Sequence, residues 1–268
     1  MAAKTIGTLM GLNDDLTKVL TGWAEYTARA LDPGDPQSWR QGSPQDMRQN
    51  LRCFKAITSF YDAREAGEPG YSGSSLVNGS SASALASPRD ELVLSVLQLF
   101  QAGYETMVPA ICHLLATFLA DRPDPIPPGM PAEALAAVID EGVRLASPVR
   151  ATVRVATADR SISGVEVPAG APLLVLIGAA NRDEQFFPSP GEFRPGQRPP
   201  HLAFGAGAHR CLGRFLAQLE LRQVMGCLMA AAGRMELDGA PQQTANFLKA
   251  GYASLPLKIE WRSPRTGL

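Results

Sequence analysis

Apolar residues recur along the chain with two different periods. Leu16, Val19, Leu20, Trp23 and Thr27 fall three or four residues apart, the spacing of one helix face. The stretch LDPGDP at 31–36 ends that pattern. A second amphipathic helix is predicted from about Pro44 to Arg64, with Met47, Leu51, Phe54, Ile57 and Phe60 or Tyr61 inward. Residues 65–87 shift to glycine and serine and read as a flexible loop. Ser87 as N-cap, Pro88 at the first helical position and acids in the first turn then open another helix.

That helix carries the longest apolar run, Leu92 to Ala120. Its length suits a bilayer, but Gln98, Gln101, Glu105 and His113 interrupt it. A carboxylate at mid-membrane is costly, so the run reads as a buried core helix. Pro109 removes the helical bond to the Glu105 carbonyl and predicts a kink there. A further helix is expected from near Pro131 to just before Pro148.

The period then changes. ATVRVAT at 151–157 alternates, and VEV and LLVLI flank the turn PAGAP, which predicts a hairpin between them. A proline-dense coil follows, then a glycine-rich turn with a cysteine, a helix from about Leu212 to Ala232, and a last strand at LPLKIEW. The fold class is α+β, mainly α, with small β-sheets packed to one side.

Composition narrows the function. The 268 residues carry 25 basic and 26 acidic side chains, a net charge of −1. That balance gives no reason to expect nucleic acid or an anionic membrane surface. Four cysteines, Cys53, Cys112, Cys211 and Cys227, form no CxxC pair. A zinc cluster or disulfide framework is not expected, and a reducing cytoplasm is the default. The opening MAAKTIGTLMGLNDD has too short an apolar run for a signal peptide.

The chemistry concentrates in HLAFGAGAHRCLGRFLAQLEL, residues 201–221. Apolar positions 212, 215, 216 and 219 predict a helix face in the core, with Cys211 at the helix N-terminus. Partial positive charge and free N–H groups there favour a thiolate. Gly205 and Gly207 allow backbone angles closed to other residues, so the loop can curl under the sulfur. Gly213 leaves room for something flat. Such a thiolate suits a metal, haem iron in particular. The plainer alternative is a small core cysteine in a glycine-rich turn.

The full spacing Phe204-Gly205-x-Gly207-x-His209-x-Cys211-x-Gly213, followed by Leu216-Ala217, resembles the haem-binding loop of the cytochrome P450 family. The resemblance implies that Cys211 is the axial ligand of haem b, that Phe204 shields its sulfur, and that His209 reaches a propionate. Ala102-Gly103-Tyr104-Glu105-Thr106 resembles the family's central-helix signature, which makes Ala102 and Gly103 haem contacts and Glu105 and Thr106 the proton-delivering pair. Glu141-Gly142-Val143-Arg144 resembles its Glu-x-x-Arg clamp, completed by Arg198 or Arg194. Residues 147–190, including AANRD, resemble its strand region, where Arg154 would pair with a propionate.

The resemblance implies a single P450-like domain over 1–268, truncated at its start: it lacks the family's N-terminal helices and first sheet. Such a chain would expose apolar stripes, so a homo-oligomer or a complementing protein is expected. The implied reaction is oxygen insertion into a small organic substrate, with electrons from a ferredoxin-type partner or from peroxide. The Ala-rich, Arg-over-Lys composition points to a high-GC bacterium and natural-product tailoring. Two alternatives stand beside it: a non-oxygenase haem-thiolate catalyst, peroxide-driven or non-oxidative, and an accessory protein without turnover.

Overall fold

The period around Leu16 is a helix: α2, Asp14–Ala30, buries Leu16, Leu20, Trp23 and Ala24. The side chain of Asn13 accepts the Leu16 N–H at 2.9 Å and caps it. The computed structural model describes residues 1–30, 44–67, 89–121, 129–196, 200–244 and 246–262. The chain forms two compact units, Met1–Val108 and Pro109–Leu268.

In the first unit α1 (Ala2–Leu9), α2, α3 (Pro44–Glu65) and α4 (Arg89–Glu105) pack around a shared core. Ile6, Met10, Leu20, Ile57, Val93 and Phe100 are its centre. The inward face expected of α3 is corrected at its start. Met47 and Leu51 are 62% and 52% exposed, and the buried stripe is Cys53, Ile57, Phe60 and Tyr61. Asn50 continues that stripe, where it accepts the Trp23 indole N–H at 2.9 Å. Polar pairing replaces packing there, and the apolar residues either side turn outward. Of the expected 65–87 loop, Glu65 closes α3, and residues 68–88 lie outside the described residues.

The long apolar run is two helices, α4 and α5 (Met107–Asp121), with the break at Thr106. The interruption therefore precedes Pro109 instead of falling at it. Pro109 sits in the first turn of α5, where a missing N–H costs nothing. The Thr106 hydroxyl donates to the Ala102 carbonyl at 2.8 Å. Such back-bonding competes with the helical ladder and bends helices. Among the described residues no helix is long and apolar enough to cross a membrane.

In the second unit α6 (Ala132–Ala146) is buried on every side from Ala137 to Ala146, except at Asp140. It ends at Ser147, which takes a left-handed turn (φ 38°) before Pro148. Gly142 is required by packing, since a Cβ there would collide with Leu114 of α5. The strands pair as β1 (Thr152–Val155) with β4 (Pro172–Val175) and β2 (Arg160–Ile162) with β3 (Val165–Val167).

The hairpin expected between VEV and LLVLI is thus corrected. Ser163 and Gly164, at φ 51° and 81°, form the tight turn joining β2 to β3. Positive φ at both central residues matches the twist of a two-residue hairpin. PAGAP instead carries the chain from one sheet to another.

After the short helix α7 (Ile177–Ala180) and the cysteine loop comes α8 (Arg214–Ala231). Then β5 (Ala232–Leu237) pairs with β8 (Leu257–Trp261), and β6 (Gln242–Gln243) with β7 (Tyr252–Ser254). The core face expected of α8 is also corrected. Leu212 and Phe215 are 89% and 73% exposed and Leu219 is exposed, while Leu221, Met225 and Met229 are the buried apolar residues.

Candidate functional site

Glu141 and Arg144 lie one turn apart on α6, and both are buried. Arg144 Nε donates to Glu141 Oε2 at 2.8 Å and Nη2 to Oε1 at 2.7 Å, a fork-on-fork pair. The remaining Arg144 donors reach the carbonyls of Asn181 (2.7 Å), Pro190 (2.9 Å) and Glu192 (3.3 Å). Its guanidinium stacks on Phe187, 4.8 Å from the ring centre.

Arg194 joins this network differently from its expected role. Its backbone N–H donates to Glu141 Oε1 at 3.0 Å, while its guanidinium pairs with Glu192 at the surface. Arg198, the other expected third member, lies outside the described residues.

The network extends to the cysteine loop through Asn181, which no sequence pattern singled out as a ligand-loop anchor. Its side chain donates to Ser147 Oγ at 2.8 Å and accepts the Leu202 N–H at 2.7 Å. The neighbouring His201 accepts the Ala203 N–H at Nδ1, so its proton sits on Nε2, which faces Asp140 Oδ1 at 3.2 Å. Its ring lies 6.0 Å from that of Phe204. Asp140, Glu141, Arg144 and Ser147 all belong to one end of α6. A spacing rule could have flagged the first three, but only tertiary contact reveals the loop positions they hold.

From Leu202 the loop turns tightly. Gly205 donates to the Leu202 carbonyl at 2.8 Å, and Cys211 N–H donates to the Phe204 carbonyl at 2.8 Å. Gly205 and Gly207 have φ of 68° and 71°, the left-handed region where a Cβ is strained. Gly213 (φ −82°) is the N-cap of α8, and a Cβ there would meet nothing within 4 Å. Cys211 stands two residues before that cap and is exposed.

An exposed thiol flanked by the exposed apolar Leu212 and Phe215 fits a flat, largely apolar group with one open position for a soft anionic ligand. The donor set is a lone thiol. Among the described residues no group of three or more metal-ligating side chains gathers.

His209 ends a short 3-10 turn, Gly207–His209, and is exposed. Arg154 is folded back on its own strand, donating to Thr152 Oγ1 (3.1 Å) and the Val153 carbonyl (2.8 Å). Neither has a carboxylate partner among the described residues.

The remaining candidates belong to the first unit. Glu105 Oε1 accepts from Gln101 at 3.0 Å, and Gln101 also donates to Thr27. Gly103 faces α1, where a Cβ would sit 3.1 Å from Ile6, and Ala102 is exposed. Gly103 therefore serves the packing of α1 on α4.

The family described as Cytochrome P450 matches residues 132–232, which hold the clamp, the strand region, the cysteine loop and α8. The beta-dihydromenaquinone-9 omega-hydroxylase of Mycobacterium tuberculosis is 34% identical over 172 residues, 63% of this chain and 35% of that protein. Cytochrome P450-terp of a Pseudomonas species is 36% identical over 123 residues, 46% of this chain and 29% of that protein. The chain thus spans about a third of the length of these relatives. Ligand-free CYP164A2 of Mycobacterium smegmatis superposes with a TM-score of 0.79 at 28% identity, covering 96% of this chain and 66% of that one. P450BioI, solved with an acyl carrier protein bearing hexadec-9Z-enoic acid, gives a TM-score of 0.80 at 24% identity, over 97% and 66% of the two chains. The loop, the buried clamp and these likenesses converge: over the part of its length that they cover, the chain is a member of the cytochrome P450 family, of the bacterial type.

Proposed function

We propose that the chain is a haem-thiolate oxidoreductase of the P450 kind, with Cys211 as the axial ligand. The observation that carries this reading is the exposed Cys211 thiol in a loop shaped by two left-handed glycines and anchored to a buried ion pair. Haem bound there would supply the activation of O2 that inserts one oxygen atom into a small organic substrate.

The chain's own residues prepare that chemistry. The Phe204 ring stands at the base of the loop, against His201, and would shield the sulfur once haem covers its open side. His209 and Arg154, with no carboxylate partner among the described residues, would hold the propionates, Arg154 by turning off its own strand. Leu212 and Phe215 give the ring an apolar seat. Glu105 and Thr106 are the proton-delivering pair: the Thr106 hydroxyl now donates to the Ala102 carbonyl and turns to another acceptor when that bond opens. Two electrons come from a ferredoxin-type donor, or peroxide takes the place of O2 and electrons together. The setting is cytoplasmic, in the tailoring of a natural product. The exposed apolar residues Met47, Leu51 and Leu94 favour association, with a second copy or a complementing protein, which light scattering measures.

The test is a visible spectrum of the purified chain, reduced and exposed to carbon monoxide. A thiolate-type Soret shift in the wild type that is absent in Cys211→Ala is expected. Folded protein that takes up no haem, or a spectrum unchanged by Cys211→Ala, removes the proposal.

A further inference from the structure

A cavity of about 600 Å³ lies within the second unit, between α5, the end of α6, the segment around α7 and the β6–β7 pair. Cys211 and Phe204 are not among its lining residues. Its size is that of a small-molecule site. Part of the wall is apolar: Leu145, Ala146, Ala151, Leu176 and Phe247. The rest carries Arg150 and Arg182, with Tyr252 and Gln243 beside them.

Among the described residues no carboxylate pairs with either guanidinium. Arg182 Nη2 donates to the Leu145 carbonyl at 2.6 Å, and Arg150 Nη1 reaches the Asn246 carbonyl at 3.4 Å. Each guanidinium has five N–H donors, so most remain to be used. Glu141 of α6 is committed to Arg144 and the Arg194 N–H. Burial, then the like charges of Arg144 and Arg150, weaken Arg182's hold on its proton. His113, which lines the same cavity, is pushed toward its neutral form, so it adds no anion and little cation. Arg182 is open to solvent on one side and Arg150 is half-buried. A ligand can therefore reach both, and it meets two cations it does not have to strip from existing partners.

We propose that this cavity binds a small amphipathic carboxylate, its carboxylate on Arg150 and Arg182 and its apolar body against Phe247 and Leu176. Planar guanidiniums match a carboxylate with two parallel bonds. The apolar wall gives the rest of the molecule a place out of water, and the Tyr252 hydroxyl and Gln243 amide supply secondary polar contacts. A bare or doubly charged anion would use the cations and leave the apolar wall wet. The inference needs only the fold of this unit and stands apart from haem chemistry at Cys211.

The test is isothermal titration of the full chain, near neutral pH, with phenylbutyrate and with its neutral analogue phenylbutyramide. The acid is expected to bind about tenfold or more tightly than the amide. Arg150→Gln and Arg182→Gln should each weaken the acid by about tenfold and leave the amide unchanged. Arg160→Gln, on the β2–β3 hairpin, should change neither. Thermal unfolding establishes that each variant is folded, and should Arg182→Gln fail through loss of its Leu145 contact, Arg150→Gln carries the comparison. Equal binding of acid and amide, no binding of the acid, or full affinity in Arg150→Gln overturns the proposal. So does displacement of the acid by inorganic phosphate at similar concentration, which would show a site for bare anions.

Discussion

Asn181 and Leu202 are joined by a 2.7 Å hydrogen bond from the Leu202 N–H to the Asn181 side-chain oxygen. The Asn181 backbone carbonyl meanwhile accepts from Arg144 at 2.7 Å. One residue thus connects a buried ion pair on α6 to the first turn of the cysteine loop. The loop's shape is set by that pair and by the backbone, before any ligand is considered.

Glu141→Gln should therefore be felt at a distance. It leaves the Arg144 charge buried without its partner, which costs about 3–5 kcal/mol. Denaturant unfolding measures the loss. Hydrogen exchange should show faster amides at 202–211 while the β2–β3 hairpin is unchanged. An effect under about 1 kcal/mol would mean that the pair is not buried in solution.

The three loop glycines should separate by cause. Gly205→Ala and Gly207→Ala put a Cβ into left-handed backbone, at about 1–2 kcal/mol each. Gly213→Ala meets neither strain nor clash, so stability should hold. Its Cβ intrudes where a flat ligand would lie, so haem uptake, followed by Soret absorbance, should fall. Uptake equal to wild type would place the ligand elsewhere.

Thiol labelling reads the same surface. Cys211 and Cys227 are exposed and should react quickly with iodoacetamide in the haem-free chain. Cys53 is fully buried and burial pushes its pKa up to about 11, so it should resist. Cys112, also pushed up by burial, should lag. Adding haem should protect Cys211 and leave Cys227 labelled, as peptide mass spectrometry resolves. Undiminished labelling of Cys211 would contradict the proposed ligand.

Acid should weaken the second unit through His113. Burial lowers its pKa, the Pro109 carbonyl partly opposes this, and the charges of Arg150 and Arg182 add to the lowering. The folded pKa lies below the unfolded value of about 6.5. The unfolded chain therefore binds the proton first. Stability is full above that value and falls as pH drops through the window beneath it. His113→Gln should flatten that part of the profile in denaturant titrations from neutral to mildly acidic pH. An unchanged slope would assign the acid sensitivity to another group.

The helices were legible because their apolar residues repeat within one element. Leu16 to Trp23 and the α6 stripe need no distant information, and Glu141 with Arg144 is visible as a three-residue spacing. What failed depends on partners far along the chain. Met47 and Leu51 look apolar enough to bury, but Asn50 meets Trp23 in their place. The strands were found and mispaired, because PAGAP looks like a hairpin turn while Ser163-Gly164 forms one. Leu212 and Phe215 follow helical spacing, yet the same helix has a second apolar face, Leu221, Met225 and Met229, that takes the core. Of the candidate site, the cysteine loop was readable from its glycines. Asn181 was not, since a lone asparagine carries no spacing.

Two of the bonds that secure this region run to main-chain nitrogens, at Arg194 and at Leu202. The side chains at those positions are free to drift, because any amino acid with an amide hydrogen serves. Only an imino acid is barred. A saturation library would accordingly tolerate almost every replacement at 194 and 202 and reject proline, the fingerprint of an anchor written in backbone and not in side-chain chemistry.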